Sequence, residues 1–78
     1  MELTLKEFEL LRLLLRDAGR VVTRTELMDE VWDPNWYGST KTLDVHVSSL
    51  RKKLGDDPLR PKRIKSVRGA GYMLAVEP

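Results

Sequence analysis

The sequence contains no cysteine, a single histidine and no long apolar segment. Disulfide bonds and thiolate metal sites are therefore excluded, and a small core must be held together by packing alone. No run approaches the roughly 20 apolar residues that cross a bilayer, and we find no secretory apolar region. With these features lacking, residues 1–78 are expected to form one small domain located in the cytoplasm.

Basic and acidic side chains are distributed unequally along the chain. Residues 1–40 carry five basic and eight acidic side chains, for a net charge of −3. Residues 41–78 carry nine basic and four acidic side chains, for a net charge of +5. A basic region of this kind attracts a polyanion such as nucleic acid, although charge alone is equally typical of a solvated surface.

Two capping boxes predict where the first two helices begin. The box at 4–7 predicts a helix over about 4–18, and the box at 23–26 predicts a second helix over about 24–32. Apolar side chains at helical spacing predict the buried stripe of the first helix, Phe8, Leu11, Leu14, Leu15 and Ala18. The corresponding stripe of the second helix is Leu27, Met28, Val31 and Trp32.

A third helix and a hairpin complete the predicted fold. Ser39 or Thr40 caps a helix over about 40–54, and two strand-like runs around a glycine-containing turn predict a hairpin over about 63–76. The expected fold class is mainly α with a C-terminal β-hairpin. In this order the elements form a three-helix winged helix-turn-helix.

The third helix has one apolar side and one mixed basic side. Leu43, Val47, Leu50 and Leu54 fall within one narrow sector, which we predict to be core. The opposite side collects Lys41, Thr42, Val45, Ser48, Ser49 and Lys52. Lysine and hydroxyl groups bind phosphates and base edges, and a valine methyl can contact a thymine methyl in the major groove. An exposed Val45 is also compatible with a scattered surface apolar residue.

Arg68 lies beside Gly69 in the predicted hairpin turn. An arginine on a narrow turn can enter a minor groove, where phosphates focus negative potential. The alternative is an ordinary exposed turn residue.

Six segments, in order and spacing, resemble the DNA-binding effector domain of OmpR/PhoB-type two-component response regulators. They are Leu3-Thr4 with Glu7-Phe8-Glu9-Leu10-Leu11, Val22-Thr23-Arg24-Thr25-Glu26-Leu27, Val31-Trp32, Thr42-Leu43-Asp44-Val45-His46-Val47, Leu50-Arg51-Lys52-Lys53-Leu54 and Val67-Arg68-Gly69-Ala70-Gly71-Tyr72. The resemblance implies a transcription regulator whose third helix enters the major groove and whose wing reaches the minor groove. It also implies base-side contacts from Val45 and Ser49, a water-mediated role for Asp44, and a minor-groove contact from Arg68. The implied phosphate contacts are Arg24, Trp32, Lys41, Thr42, Ser48, Arg51 and Ser66.

The resemblance also implies partners. Members of the family bind direct repeats as head-to-tail dimers, and a loop corresponding to residues 33–39 touches RNA polymerase in activators. The implied loop contacts are Asp33, Asn35, Trp36 and Tyr37. A cognate sensor kinase would act on a receiver domain, which this sequence does not include.

The sequence departs from the family in two ways. Many members carry arginine at the positions of Ser48 and Ser49, so the base preference of a relative is not transferable. The family's domain begins with a short antiparallel sheet of which this chain holds only the last residues. We therefore expect a piece of a longer protein, in which Leu3, Leu5 and part of the first helix expose apolar surface.

Other classes of function receive less support. His46 lies beside the core sector of the third helix, where a packed histidine is more common than a general base. No catalytic triad, phosphate-binding glycine loop, metal cluster or cofactor motif is present, so no enzyme is predicted. A protein-interaction module that uses the loop at 33–39 remains the alternative function. RNA readers stack bases on exposed aromatic side chains, which the basic face lacks.

Overall fold

A computed structural model describes residues 2–33, 35, 38–57 and 59–76. Its helices are α1 (Leu5–Arg16), α2 (Arg24–Leu27), which continues as a π-helical turn (Met28–Trp32), and α3 (Lys41–Lys53). Its strands are β1 (Val22–Thr23), β2 (Ile64–Val67) and β3 (Gly71–Leu74). Three helices followed by a β-hairpin confirm the predicted fold class, a winged helix-turn-helix.

Helix α1 begins with the predicted capping box. The hydroxyl of Thr4 accepts from the backbone N–H of Glu7, and the Glu7 carboxylate accepts from the backbone N–H of Thr4 at 2.8 Å. These two bonds satisfy donors that would otherwise be unpaired in the first turn. The helix ends at Arg16, two residues before the predicted end, because Asp17 leaves the helical conformation.

The predicted buried stripe of α1 is wrong in part. Phe8 and Leu15 are 53% and 56% exposed, and Ala18 is exposed beyond the helix end. Leu14 is buried as predicted, and Leu11 is partly buried against the core. The other buried apolar residues of α1 are Leu10 and Leu13, which the prediction missed. Helix α1 is apolar on two sides, and the side that carries Leu10 and Leu14, with Leu11 at its edge, packs against the rest of the domain. The second side is exposed, as expected for part of this helix.

Leu3 and Leu5, at the start of the chain, meet the sequence expectation only in part. Leu5 is 69% exposed, as expected, whereas Leu3 packs against the core and is half-buried.

The sequence predicted a continuous α-helix over 24–32, but the second helix changes type within this range. Its last five residues form a π-helical turn that closes with a 3.1 Å bond from the N–H of Asp33 to the carbonyl of Met28. Leu27 of α2 and Met28 and Val31 of the wider turn are buried as predicted, and Trp32 packs partly buried against the core. The carbonyl of Val31 accepts from the Lys6 ammonium at 2.6 Å, which satisfies an acceptor at the helix end.

Helix α3 packs against the core with its predicted apolar sector. Leu43, Val47 and Leu50 are fully buried, and Leu54 packs against them just beyond the helix end. The helix is one residue shorter at each end than the predicted range of 40–54. At its start, the Ser39 hydroxyl accepts from the Lys41 N–H at 3.1 Å, whereas Thr40 makes no side-chain cap bond.

A third strand, β1, joins the predicted hairpin. The three strands are antiparallel in the order β1-β3-β2, and Tyr72 pairs with Val22 on one side and Ser66 on the other. The sequence missed β1 because two residues are too few to show an alternating pattern. Gly71 permits this pairing, because a Cβ there would overlap the backbone carbonyl of Val22. Gly69, in the hairpin turn, has a positive φ of 76°.

Candidate nucleic-acid interface

Helix α3 presents an exposed stripe on the side opposite the core. Val45 is 65% exposed, and Ser48 and Lys52 are also exposed. These residues are three and seven positions apart, so they lie along one side of the helix. Together with Asp44 and Ser49 they line a shallow depression of about 430 Å³. Lys41 is exposed at the start of the same helix, where Thr42 is half-buried.

The wing places one arginine at its tip. Arg68 is exposed in the turn between β2 and β3, which is closed by a 3.0 Å bond from the N–H of Ala70 to the carbonyl of Val67. Among the described residues Arg68 has no hydrogen-bond or ion-pair partner, so its guanidinium is available to an external anion.

Asp44, the acidic residue within α3, is neutralised by its neighbours. Arg24 donates to both carboxylate oxygens of Asp44, at 2.7 and 3.2 Å, and to the carbonyl of Thr40 at 3.1 Å. The Tyr72 hydroxyl also donates to Asp44, at 2.5 Å. The bonds from Arg24 hold the pKa of Asp44 below its ordinary value, against the opposing effect of burial. This network joins α2, α3 and β3 and removes a negative charge from the exposed side of α3.

Arg51 joins α3 to the wing. Its guanidinium donates to the carbonyl of Ile64 at 2.8 and 3.0 Å and to the hydroxyl of Ser66 at 2.8 Å. The guanidinium carbon also lies 5.5 Å from the centre of the Tyr72 ring. Arg51 and Ser66, two of the implied phosphate contacts, are therefore bonded to each other. These contacts tie α3 to β2 and β3.

Glu7 holds α1 against α3, a role that the sequence reasoning missed. Its carboxylate is 2% exposed and accepts from the Lys53 ammonium at 2.6 Å and from the Ser49 hydroxyl at 2.5 Å. The bonds from Lys53 and Ser49 lower the pKa of Glu7 from 4.5 to about 2. A signal was present, because Glu7 is in helical register with Leu10 and Leu14 on the buried side of α1.

Trp32 and His46 pack together beside the start of α1. Their rings meet edge to face at 5.1 Å, and the Lys6 ammonium lies 5.5 Å from the Trp32 ring centre. Nδ1 of His46 is 2.8 Å from the carbonyl of Thr42. His46 is thus a packed residue, as predicted. Within the described part of the chain, no three acidic or histidine side chains are grouped so that they could hold a metal ion.

The loop after the π-helical turn is described only in part. Asp33 and Asn35 are exposed, and the Asn35 N–H donates to the Asp33 carboxylate at 2.7 Å. Trp36 and Tyr37, the two aromatic residues predicted to contact polymerase, lie outside the described residues.

The three helices, followed by a hairpin wing with Arg68 in its turn, define the chain as a winged helix-turn-helix domain. The family model "Transcriptional regulatory protein, C terminal" matches residues 1–74. The chain belongs to this family, the effector domains of OmpR/PhoB-type response regulators, which are DNA-binding transcription regulators and not enzymes. Over residues 2–33, 35, 38–57 and 59–76, no helix is long and apolar enough to span a membrane.

Known proteins of the family are similar to this chain in sequence and structure. The sensory transduction protein RegX3 of Mycolicibacterium smegmatis is 54% identical over 72 residues, which are 92% of this chain and 32% of RegX3. The DNA-binding domain of Klebsiella pneumoniae RstA, solved in complex with the RstA box, is 36% identical with a TM-score of 0.86. That match covers 95% of this chain and 73% of the RstA chain. The response regulator DrrB of Thermotoga maritima, an OmpR/PhoB homolog, is 40% identical with a TM-score of 0.85, over 96% of this chain and 34% of DrrB. This chain therefore spans about a third of RegX3 and of DrrB.

Proposed function

We propose that the chain binds double-stranded DNA in a sequence-dependent way, with α3 in the major groove and the hairpin in the adjacent minor groove. The observation that carries this proposal is the exposed stripe of Val45, Ser48 and Lys52 on α3. A stripe with apolar, hydroxyl and cationic groups, and no free carboxylate, matches the edges that base pairs present in the major groove. The RstA domain, which has the same fold, is bound to its DNA box.

The electrostatics of α3 support the same proposal. Asp44 in this helix is paired with Arg24, and the Glu7 carboxylate, which reaches the helix from α1, is paired with Lys53. Lys41 and Lys52 are left exposed on the side away from the core. Because the acids are neutralised, a DNA phosphate approaching this side meets net positive charge.

The residues around the stripe supply the phosphate contacts in this proposal. Arg24 is bonded to Asp44 but keeps 37% of its side chain exposed, so it can approach a phosphate without leaving Asp44. Lys41 and Thr42 lie at the start of α3, and Ser66 is exposed on β2. Trp32 and Arg51 are half-buried and contribute at the edge of the surface.

The wing arginine gives the sharpest test. We expect Arg68→Ala to weaken binding to a duplex enriched from a random pool by about 5- to 150-fold, since one good groove contact contributes about 1–3 kcal/mol. Binding is measured by fluorescence anisotropy over a series of salt concentrations. The salt series also measures the electrostatic part of the loss, since the slope of log affinity against log salt becomes shallower by about 0.9 for each phosphate contact that is lost.

Arg12→Ala is the matched control for charge. Arg12 is exposed on the side of α1 opposite Leu10 and Leu14, away from α3, and its loss removes the same charge. If the Arg12 variant loses as much affinity as the Arg68 variant, only net charge matters and the wing has no specific role. If the random pool yields no motif at all, sequence-dependent binding is refuted.

We further propose that the domain is the output half of a longer protein that responds to a sensor kinase. RegX3 is a sensory transduction protein, and this chain matches about a third of its length. In that setting, the domain would pair head to tail with a second copy on direct repeats and regulate transcription, with RNA polymerase as a further partner.

A further inference from the structure

Two adjacent serines on α3 have different surroundings. Ser48 is exposed and has no hydrogen-bond partner among the described residues. Ser49 is half-buried, and its hydroxyl donates to Oε2 of Glu7 at 2.5 Å. The single hydroxyl proton of Ser49 is thus already bound to a carboxylate inside the domain.

The Glu7 carboxylate needs this bond. Its other oxygen, Oε1, accepts from the Thr4 N–H at 2.8 Å and from the Lys53 ammonium at 2.6 Å. Among the described residues, Oε2 has Ser49 as its donor. If Ser49 turned towards a base, a buried carboxylate oxygen would lose that donor. Leaving this oxygen without a donor would weaken DNA binding by about 5- to 150-fold, the same range as the gain from one base contact.

We propose that Glu7 withdraws the hydroxyl proton of Ser49 from base recognition, and that Val45, Ser48 and Lys52 read the sequence in its place. This inference rests on the proposed function and deepens it. Ser49 is then a positioning residue that fixes α3 against α1, in place of the base-side contact that the family resemblance implies. Ser48, for which the resemblance implies a phosphate contact, becomes a reader of base edges.

The geometry of the three readers defines what they can recognise. Seven residues of helix cover about 10 Å, and successive base pairs are about 3.4 Å apart, so the stripe spans about three base pairs. Val45 offers methyl groups to a thymine methyl at one end, and Lys52 offers donors to guanine O6 and N7 at the other. Ser48, between them, both donates and accepts, so it adapts to the central pair.

The two serines supply a matched pair of variants. The 78-residue chain and its Ser49→Ala and Ser48→Ala forms are each used to select DNA from a random duplex pool. The motifs that the three proteins enrich are then compared. We expect Ser49→Ala to enrich the same motif as the parent chain. In Ser48→Ala, the preference for one base over the others at the central base pair should fall by about fivefold or more. Lys52→Met should cause the same loss of preference at the neighbouring base pair on one side.

The pKa of Glu7 is a second readout, which tests the hydrogen bond between Ser49 and Glu7. The side-chain carboxyl of Glu7 is titrated by nuclear magnetic resonance in the two serine variants. Because the Ser49 hydroxyl helps to hold the pKa of Glu7 near 2, Ser49→Ala should raise it, whereas Ser48→Ala should leave it unchanged. Ser49→Thr keeps the hydroxyl and should restore the low value, and thermal melting verifies that each variant is folded.

The possible outcomes separate the two proposals. A parent chain that enriches no motif refutes the proposed function, and this inference with it. A parent chain that enriches a motif, together with a folded Ser49→Ala variant that loses preference at one base pair, refutes only the withdrawal of Ser49. A pKa of Glu7 that is unchanged in Ser49→Ala also refutes the withdrawal of Ser49.

Discussion

Replacing Glu7 with glutamine tests how strongly a single buried carboxylate stabilises this domain. Glutamine has nearly the same shape and can still accept from the Thr4 N–H, but it cannot form the 2.6 Å ion pair with Lys53. The pKa of Glu7 is lowered from 4.5 to about 2. Since one pKa unit corresponds to about 1.4 kcal/mol, the ionised carboxylate contributes about 3 kcal/mol to folding at neutral pH.

The expected loss is somewhat smaller than this value. Lys53 is 34% exposed, so water weakens the ion pair, and the amide keeps part of the hydrogen bonding. We expect Glu7→Gln to lower the free energy of unfolding by about 2 kcal/mol. For a domain of this size, that change corresponds to a melting temperature lower by about 8–16 °C.

The contribution of Glu7 to the free energy of unfolding depends on pH, and the direction of its pKa shift gives the direction of this dependence. The pKa of Glu7 is depressed in the folded state, so its contribution is fully present above about pH 5 and is lost as the pH falls towards 2. The difference in stability between the parent chain and Glu7→Gln should therefore shrink over this interval. Urea unfolding followed by circular dichroism at several pH values measures it.

Glu9→Gln is the control, since Glu9 is in the same helix and has no ion-pair partner among the described residues. We expect it to change stability by less than about 0.5 kcal/mol. A Glu7→Gln variant as stable as this control, or a difference that does not depend on pH, would refute the reasoning.

Two further predictions concern the parts that support the wing. Gly71→Ala should lower stability by about 2–3 kcal/mol in thermal melting, because its Cβ would overlap a carbonyl oxygen of β1; a variant as stable as the parent would contradict the tight pairing. Asp56→Asn should lower stability by about 1–3 kcal/mol, because the Asp56 carboxylate accepts from the backbone N–H groups of residues 62–64. Burial acts to raise the pKa of Asp56 and these bonds outweigh it, so its contribution is present at neutral pH and should decline in acid.

The sequence was sufficient for the elements that depend on local interactions. The capping box at Thr4 and Glu7, the apolar sector of α3 and the glycine-containing turn of the wing are all encoded within a few residues. Their prediction succeeded because helical periodicity, capping and turn chemistry act over short distances along the chain. The order of these elements, together with the family motifs, was enough to predict a winged helix-turn-helix.

Tertiary structure decided which apolar side of α1 is buried and which polar groups are used inside the domain. Leu10 and Leu14 are buried while Phe8 and Leu15 are exposed, although all four are apolar and helical spacing alone does not rank them. The bond between Ser49 and Glu7 joins residues 42 positions apart, so no local pattern could reveal it. Ser48 and Ser49 are the same residue type, and only the packing of α1 against α3 distinguishes the exposed Ser48 from Ser49, whose hydroxyl is bonded to Glu7.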